Sequence, residues 1–158
     1  MEIYLIQHAV AKSESEDPTR PLSQVGEAQM KRIGEYVAGL GVKVDRIYHS
    51  GKLRAQQTAE ILAKYTEAID RVEVKEGLNP RDEAGPIRDW LDQLADEGVR
   101  SVAIIGHLPF LSNLASLLVT GNQETRLIAF ENAGMVKLAP EPSGKSYCLS
   151  WILTPGLI

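Results

Sequence analysis

The fold is decided by two runs of the same kind, Ile3-Tyr4-Leu5-Ile6-Gln7-His8 and Val102-Ala103-Ile104-Ile105-Gly106-His107. Each run is short, apolar and rich in β-branched residues, which is typical of a buried parallel strand. Each run also ends in a histidine. Because the carboxyl ends of the strands in an open α/β sheet form the ligand crevice, the two imidazoles are predicted to meet in one reactive site.

A third strand-like run, Asp45-Arg46-Ile47-Tyr48-His49-Ser50, is followed by a helical pattern that begins near Leu53. The N-terminus of a helix has free backbone N–H groups and the positive end of the helix dipole, so it attracts anions. Arg54 in the first turn adds a planar fork of donors that suits phosphate. These features predict a phosphate pocket that holds an imidazole as nucleophile.

Strand and helix patterns alternate along most of the chain. Strands are predicted at 2–7, 46–49, 72–74 and 102–105, and helices from Ser23, over 53–65 and 87–95, and from Pro109. Two further strands, 135–138 and 147–152, have no helix between them and should pair antiparallel. The chain 1–158 is therefore predicted to form a single α/β domain. Its architecture is a three-layer sandwich with a mostly parallel central sheet, helices on both faces and an antiparallel edge formed by the C-terminal strands.

Composition restricts the class of protein. The 158 residues are 44% hydrophobic, which is enough for one ordinary core. The net charge of -4, from 17 basic and 21 acidic residues, argues against general nucleic-acid or membrane binding. The single cysteine, Cys148, excludes an internal disulfide, fits a reducing compartment and is expected to be buried and inert. A signal-peptide pattern and a bilayer-length apolar segment are both missing, so a cytoplasmic protein is expected.

Several local features carry structural expectations. The first helix is predicted to bury one face, formed by Val25, Ala28, Ile33, Tyr36, Val37 and Leu40, and to end at Gly41. Trp90 and Trp151 are expected to pack in the core or on the sheet. Ser50 is expected to cap the following helix or to hold the loop.

Four motifs, in order along the chain, resemble those of the histidine phosphatase superfamily. They are Gln7-His8-Ala9 after the first strand, Leu22-Ser23-Gln24-Val25-Gly26-Glu27-Ala28-Gln29, then Ser50, Arg54, Ala55, Gln57 and Thr58, and finally Gly106-His107-Leu108-Pro109. The resemblance covers nearly the whole chain. The chain is short and has no large insertion between the third and fourth motifs, so it resembles most the small phosphohistidine phosphatase (SixA-type) branch. It implies a phosphoglycerate mutase-like fold and a phosphatase that uses no metal or cofactor.

The resemblance also implies roles for individual residues. His8 would be the nucleophile that becomes phosphorylated, and Arg54 and His107 would bind the phosphoryl oxygens and stabilise their charge. Gln7 and Arg20 would lie at the same phosphate pocket. The implied substrate is a protein phosphorylated on histidine, such as a phosphotransfer or phosphocarrier domain.

The chemistry agrees with these roles independently. A neutral imidazole is a competent nucleophile at physiological pH, and the phosphoramidate that it forms is labile enough to hydrolyse. A phosphohistidine substrate loses a neutral imidazole and therefore needs little help from a general acid. The loop from Glu76 to Gly85 offers Glu76, Asp82 and Glu83 as possible acids.

Gln7 stands where the family motif has an arginine. Glutamine keeps a donor but loses the charge, and losing one charged contact from a transition-state clamp costs on the order of 3 kcal/mol, or about a hundredfold in rate. Arg20 or Lys52 could supply the missing charge, the enzyme could be slow, or the chain could bind a phosphoprotein without turnover. A small-molecule phosphatase that uses the same pocket is a further alternative.

His49 raises a different alternative, because three histidines can bind a metal. It would need to join His8 and His107. However, His49 precedes the serine of the third motif, so it is expected to point away from the crevice. The sequence therefore favours a site without a metal.

Overall fold

Helices and strands alternate along the chain as far as the fourth helix. The computed structural model describes residues 1–144 and 146–158. Its elements are β1 (Glu2–Gln7), α1 (Gln24–Gly39), β2 (Arg46–His49), α2 (Leu53–Tyr65), β3 (Val72–Val74), α3 (Ala84–Asp96), β4 (Ser101–Gly106), α4 (Phe110–Thr120), β5 (Met135–Pro140) and β6 (Tyr147–Leu153). Short 3-10 turns lie at Ile69–Arg71, Gln123–Thr125 and Pro155–Leu157. No helix in these described residues is long and apolar enough to cross a membrane.

The strands form one six-stranded sheet in the order β3-β2-β4-β1-β5-β6. The first four strands in this order pair in parallel, whereas β5 pairs antiparallel with both β1 and β6. The predicted α/β fold, with a mostly parallel sheet and an antiparallel edge from the C-terminal strands, is therefore confirmed. The register places Gln7 opposite Gly106, and His49 opposite Ile105. The residues that follow β1, β4 and β2 therefore meet at one edge of the sheet.

Two apolar layers cover the sheet, one on each face. Alternate residues of β1 point to opposite faces, so Ile6 joins a buried cluster with Leu62 of α2, while Leu5 joins a second cluster with Leu91 of α3. This burial on both faces explains why β1 and β4 are continuous apolar runs. Each fully buried aliphatic side chain contributes about 1.5–3 kcal/mol.

Helix α1 begins as predicted, with the Ser23 hydroxyl accepting from the backbone N–H of Gly26 at 3.1 Å. Its buried face, however, was predicted wrongly in part. Ile33 and Val37 are buried, but the other predicted members are exposed: Val25, Ala28, Tyr36 and Leu40. The helix packs instead through glycines, because a Cβ on Gly26 would overlap the Val10 carbonyl and one on Gly34 would overlap the ring of Tyr65. A hydrophobic pattern in the sequence cannot predict such close approach, because glycine has no side chain.

The expected burial of Cys148 is also wrong. This residue lies on β6, the outermost strand of the sheet, and its thiol is exposed. The Sγ atom donates to the Glu141 carboxylate at 3.4 Å, and this hydrogen bond raises the pKa of the thiol. The apolar run around Cys148 predicted burial, but an edge strand is covered less completely than a central one.

The two tryptophans pack as expected on the sheet. Trp90 of α3 meets Tyr48 edge to face at a centroid distance of 4.7 Å, and Trp151 of β6 lies 6.0 Å from Tyr4. Both rings are partly buried against the core.

Candidate active site

Three of the predicted site residues lie together at the carboxyl edge of the sheet. His8 follows β1, His107 follows the neighbouring β4, and Arg54 lies in the first turn of α2. The ring centroids of the two histidines are 4.9 Å apart, with the rings tilted by 56°. The Arg54 Nε–H group donates to His8 Nε2 at 3.2 Å. The topology thus joins residues that are far apart in sequence.

Two hydrogen bonds determine the tautomer of His8. Its Nδ1 atom lies 2.8 Å from the carbonyl oxygen of Ala9. A carbonyl oxygen can only accept, so Nδ1 carries the proton and donates to it. Nε2 is then unprotonated, which agrees with its role as acceptor of the Arg54 Nε–H group. The lone pair available for nucleophilic attack is therefore on Nε2.

Both histidines are held in the neutral form. Burial lowers the pKa of His8 to about 4; the hydrogen bond to Ala9 opposes this shift, and the positive charge of Arg54 adds to it. The pKa of His107 is lowered to about 3, mainly by burial and further by the charges of His8 and Arg54. At neutral pH, His8 need not lose a proton before it attacks an electrophile.

The backbone of His8 is fixed from two sides. The Ala9 N–H donates to Thr58 Oγ1 at 3.0 Å, and the Thr58 hydroxyl donates in turn to the Arg54 carbonyl at 2.7 Å. From the other side, Asn132 Nδ2 donates to the His8 carbonyl at 2.7 Å. Sequence reasoning assigned no role to Thr58, although it belongs to the third motif. Asn132 had no signal, because its partner lies 124 positions away.

Ser50 contacts His107 rather than capping the helix. Its hydroxyl lies 2.6 Å from His107 Nε2, a contact that follows from the pairing of β2 with β4. The N-cap residue of α2 is Lys52, which makes no side-chain capping hydrogen bond. Of the two roles expected for Ser50, the helix cap is therefore wrong, whereas its contact with His107 agrees with a residue that holds the loop. The first turn of α2 faces the site without a side-chain cap.

Arg20 and Lys52 contribute positive charge to the site. Arg20 lies in the loop after β1, where its Nε–H donates to the Lys12 carbonyl at 3.2 Å. The charges of Arg20 and Lys52 both lower the pKa of His107, and Arg20 also lowers that of His8. The loop is anchored to α2, because the Leu22 N–H donates to Gln57 Oε1 at 2.7 Å. Gln57 also belongs to the third motif.

Gln7, the other predicted phosphate ligand, lies in the wall of a surface cavity together with Gln29 and Asn132. Its side-chain oxygen is buried, and within residues 1–144 and 146–158 no group donates a hydrogen bond to it.

His49 does not join the other two histidines. It is buried, its Nδ1 accepts from the Gly51 N–H at 3.1 Å, and it lines a different cavity beside Gln56 and Glu60. In the described part of the chain, no group of three or more histidine, cysteine, aspartate or glutamate side chains is arranged to hold a metal ion.

Two of the three candidate acids lie in the turn before α3 and at the start of that helix. The Asp82 carboxylate accepts from the Asn79 N–H at 2.7 Å and so shapes the turn. Glu83 occupies the N-cap position of α3 without a side-chain capping bond.

A neutral imidazole beside a guanidinium, at the carboxyl edge of a mostly parallel sheet, has the features of an enzyme that transfers phosphoryl groups through histidine. Sequence comparison identifies the family. Residues 3–85 match the model of the histidine phosphatase superfamily (branch 1), and the chain belongs to this superfamily.

Individual relatives resemble the chain over most of its length. An uncharacterized protein of Picosynechococcus sp. is 33% identical over 141 residues, which cover 87% of this chain and 84% of the relative. The phosphohistidine phosphatase SixA of Escherichia coli (strain K12) is 27% identical over 156 residues, or 98% of this chain and 94% of that protein. A solved structure of the protein histidine phosphatase SixA complexed with tungstate has a TM-score of 0.88 at 28% identity and covers 99% of each chain. The SixA-type resemblance found in the sequence is confirmed.

Proposed function

We propose that this chain is a phosphohistidine phosphatase that dephosphorylates a phosphorylated protein through a phospho-His8 intermediate. The observation that carries the proposal is the neutral His8 imidazole, whose Nε2 lone pair lies beside the Arg54 guanidinium. The similarity to SixA phosphatases over nearly the full chain supports it.

In the first step, His8 Nε2 attacks phosphorus and forms a new P–N bond. The P–N bond to the substrate's imidazole breaks, and its electron pair stays on that imidazole, which leaves as a neutral base once its far nitrogen is protonated. The Arg54 Nε–H group occupies the same Nε2 lone pair before substrate arrives. The guanidinium must therefore turn its donors toward the phosphoryl oxygens, a contact that its planar fork suits.

In the second step, water attacks the phosphorus of phospho-His8. Inorganic phosphate leaves, and Nε2 recovers its lone pair. Phosphoryl transfer depends mainly on positioning and on stabilisation of the oxygens' charge. His107 and Arg54 are the proposed donors to these oxygens, and a phosphoryl dianion would raise the low pKa of His107 and so favour its protonated, doubly donating form.

Gln7 stands where the family motif has an arginine, and this loss of a charge favours one alternative, a module that binds a phosphoprotein without turnover. Against this, the charges of Arg20 and Lys52 act on His107 in addition to that of Arg54. We therefore include Arg20 and Lys52 in the proposed phosphate pocket as the groups that replace the missing charge.

The partner and the location are part of the proposal. The proposed substrate is a phosphotransfer or phosphocarrier domain, because the imidazole of a phosphohistidine can leave as a neutral base without a strong general acid. The single free cysteine favours a reducing compartment such as the cytoplasm.

The test is phosphate release from a protein radiolabelled on histidine. Wild type should release phosphate and carry label transiently, whereas His8→Ala should do neither. His49→Asn is the matched control, since this buried histidine lies outside the site and its loss should leave the rate within about twofold. Release by His8→Ala at the wild-type rate would disprove the intermediate.

The same assay separates the alternatives. If wild type binds tungstate but releases no phosphate, the chain is a binding module. If an alkyl phosphate ester is hydrolysed faster than phosphohistidine, the chain is a small-molecule phosphatase.

A further inference from the structure

Ser50 and His107 form a short hydrogen bond at the proposed phosphate pocket. The Ser50 hydroxyl oxygen lies 2.6 Å from His107 Nε2. Ser50 follows β2, and His107 follows β4, which is the parallel neighbour of β2. Strand pairing therefore brings the two residues together, and the contact occupies one of the two nitrogens of a buried imidazole.

Two arrangements of protons are compatible with such a contact, because an imidazole nitrogen and a hydroxyl group can each donate or accept. In the first, the Ser50 hydroxyl donates to Nε2, and the proton of the neutral ring is on Nδ1. In the second, the Nε2–H group donates to Ser50 Oγ, and Nδ1 carries a lone pair. Within residues 1–144 and 146–158, neither His107 Nδ1 nor the Ser50 hydroxyl has another hydrogen-bond partner.

The length of the hydrogen bond favours the first arrangement. Bonds with an O–H donor are typically about 2.5–3.0 Å long, whereas bonds in which N–H donates to oxygen are about 2.7–3.2 Å long. The distance of 2.6 Å between Ser50 Oγ and His107 Nε2 lies in the first range and below the second. The hydroxyl is therefore the donor, and Nδ1 carries the proton of the neutral ring.

The proposed role of His107 favours the same arrangement. Burial lowers the pKa of His107 most, and four neighbouring groups lower it further: His8, Arg54, Lys52 and Arg20. The ring is therefore neutral at neutral pH, while the cations around it attract an anion. Ser50 occupies Nε2, so Nδ1 is the ring nitrogen left for a phosphoryl oxygen. A lone pair on Nδ1 would repel that oxygen, whereas an N–H group donates to it.

We propose that Ser50 is a positioning residue that holds His107 as the Nδ1–H tautomer, so that the neutral ring already presents a donor to the phosphoryl oxygens. The inference rests on the proposed function, in which His107 contacts these oxygens. Protonation of the ring keeps this donor in place: Nε2–H then donates to the Ser50 oxygen, whose hydroxyl group rotates away. Ser50 thus gives His107 the same donor in both charge states.

The first experiment observes the tautomer directly and needs no turnover. The three histidines are labelled with ¹⁵N, and two-bond proton–nitrogen correlation spectra distinguish a protonated ring nitrogen from an unprotonated one. His8 and His49 are internal standards, because His8 carries its proton on Nδ1, whereas His49 accepts on Nδ1 and so carries its proton on Nε2. At about pH 8, where all three rings are neutral, we expect His107 to match His8. A proton on Nε2 of His107 would overturn the proposal.

The second experiment tests the role of Ser50 through the pH dependence of anion binding. Sulfate keeps its charge from about pH 8 to 5, where perturbed histidines titrate, and its affinity is measured by calorimetry. Ser50→Ala should weaken sulfate binding by about tenfold at the higher pH, where the tautomer of neutral His107 matters. At the lower pH the loss should be less than about threefold, because a protonated ring donates from Nδ1 in any case. The surrounding charges are the same in both proteins, so the ratio of their affinities reports on His107. An equal loss at both pH values, or no loss at either, would refute the role of Ser50.

Two further variants control this comparison. Ser50→Thr keeps a hydroxyl group and should recover most of the affinity that Ser50→Ala loses at the higher pH. Ser101→Ala removes a hydroxyl group at the opposite end of β4, where it accepts from the Asp45 N–H at 2.9 Å, and should leave sulfate affinity unchanged. If Ser50→Thr binds as weakly as Ser50→Ala, the hydroxyl is not responsible and the proposal fails. If Ser50→Ala does not fold, the wild-type spectrum still decides the tautomer.

The outcomes separate this inference from the proposed phosphatase. If no phosphohistidine protein is dephosphorylated, but His107 is the Nδ1–H tautomer and Ser50→Ala loses affinity mainly at the higher pH, the phosphatase proposal fails and the role of Ser50 stands. If phosphate is released but the proton of His107 is on Nε2, the phosphatase proposal stands and the role of Ser50 fails.

Discussion

Replacing Thr58 by valine should lower kcat at least tenfold, although the protein stays folded. The loss of free energy of unfolding alone does not account for such a fall in rate. Thr58 is fully buried and joins the backbone next to His8 to the helix that carries Arg54. Valine has nearly the same shape but removes the hydroxyl. The Ala9 N–H, which is also buried, would then lose its acceptor.

The size of the effect follows from these contacts. An unsatisfied buried N–H group costs about 1–3 kcal/mol, so the free energy of unfolding should fall by about that amount. Part of this cost is relieved if the segment 8–9 moves. If His8 is the nucleophile, as proposed, its displacement by about 1 Å can reduce the rate on the order of a hundredfold, so we expect kcat to fall at least tenfold.

Thr66→Val is the matched control. Thr66 lies at the end of the same helix, is equally buried, and donates its hydroxyl to the Leu62 carbonyl at 3.0 Å. Its loss should cost about 0.5–1.5 kcal/mol of stability and leave kcat unchanged. Urea unfolding and phosphate release are measured on both variants. If Thr58→Val loses stability but keeps the wild-type kcat, the view that Thr58 positions His8 is refuted.

Four further perturbations test other features. Gln7→Arg should raise kcat for phosphate release by about tenfold by restoring a charged contact, and an unchanged rate would contradict the view that this position limits catalysis. Sulfate, followed by calorimetry, should bind more tightly as the pH falls from about 8 to 5, because the anion favours protonated His107, and His107→Asn should remove this slope. His8 has a pKa of about 4 when folded against 6.5 unfolded, so the unfolded chain binds more protons between these values and stability should fall as the pH falls. In His8→Asn, the free energy of unfolding measured in urea should fall less on acidification, by on the order of 2 kcal/mol. A pH profile equal to that of wild type would contradict this expectation. Gly26→Ala should cost about 1–3 kcal/mol because its Cβ would overlap a carbonyl, whereas Gly39→Ala, in open space, should gain about 0.4–1 kcal/mol; equal effects would disprove the close approach.

The sheet could be predicted from sequence because β1 and β4 are buried on both faces. Such strands read as continuous β-branched runs, and the chain places a polar residue directly after each one. The location of His8 and His107 follows from the same pattern, since parallel strands align their carboxyl ends. Neither inference required knowledge of the packing.

Contacts that depend on close packing or on distant segments could not be predicted in this way. Gly26 and Gly34 pack α1 by having no side chain, so they add nothing to a hydrophobic pattern. Asn132 reaches the His8 carbonyl from a loop that carries no strand or helix signal. The hydrogen bond between Ser50 and His107 depends on which strands are neighbours, and β2 and β4 are not consecutive in sequence.

The third motif has a physical reason in the geometry of α2. Arg54, Gln57 and Thr58 are spaced at i, i+3 and i+4, so they lie on one face of the helix. Each of the three contacts a different segment: Arg54 contacts the His8 ring, Gln57 contacts the Leu22 backbone in the loop that carries Arg20, and Thr58 contacts the Ala9 backbone. One helical face therefore sets the ring of His8, the backbone that carries it and the loop that supplies a second cation. A change in this spacing would separate these segments even if every residue type were kept.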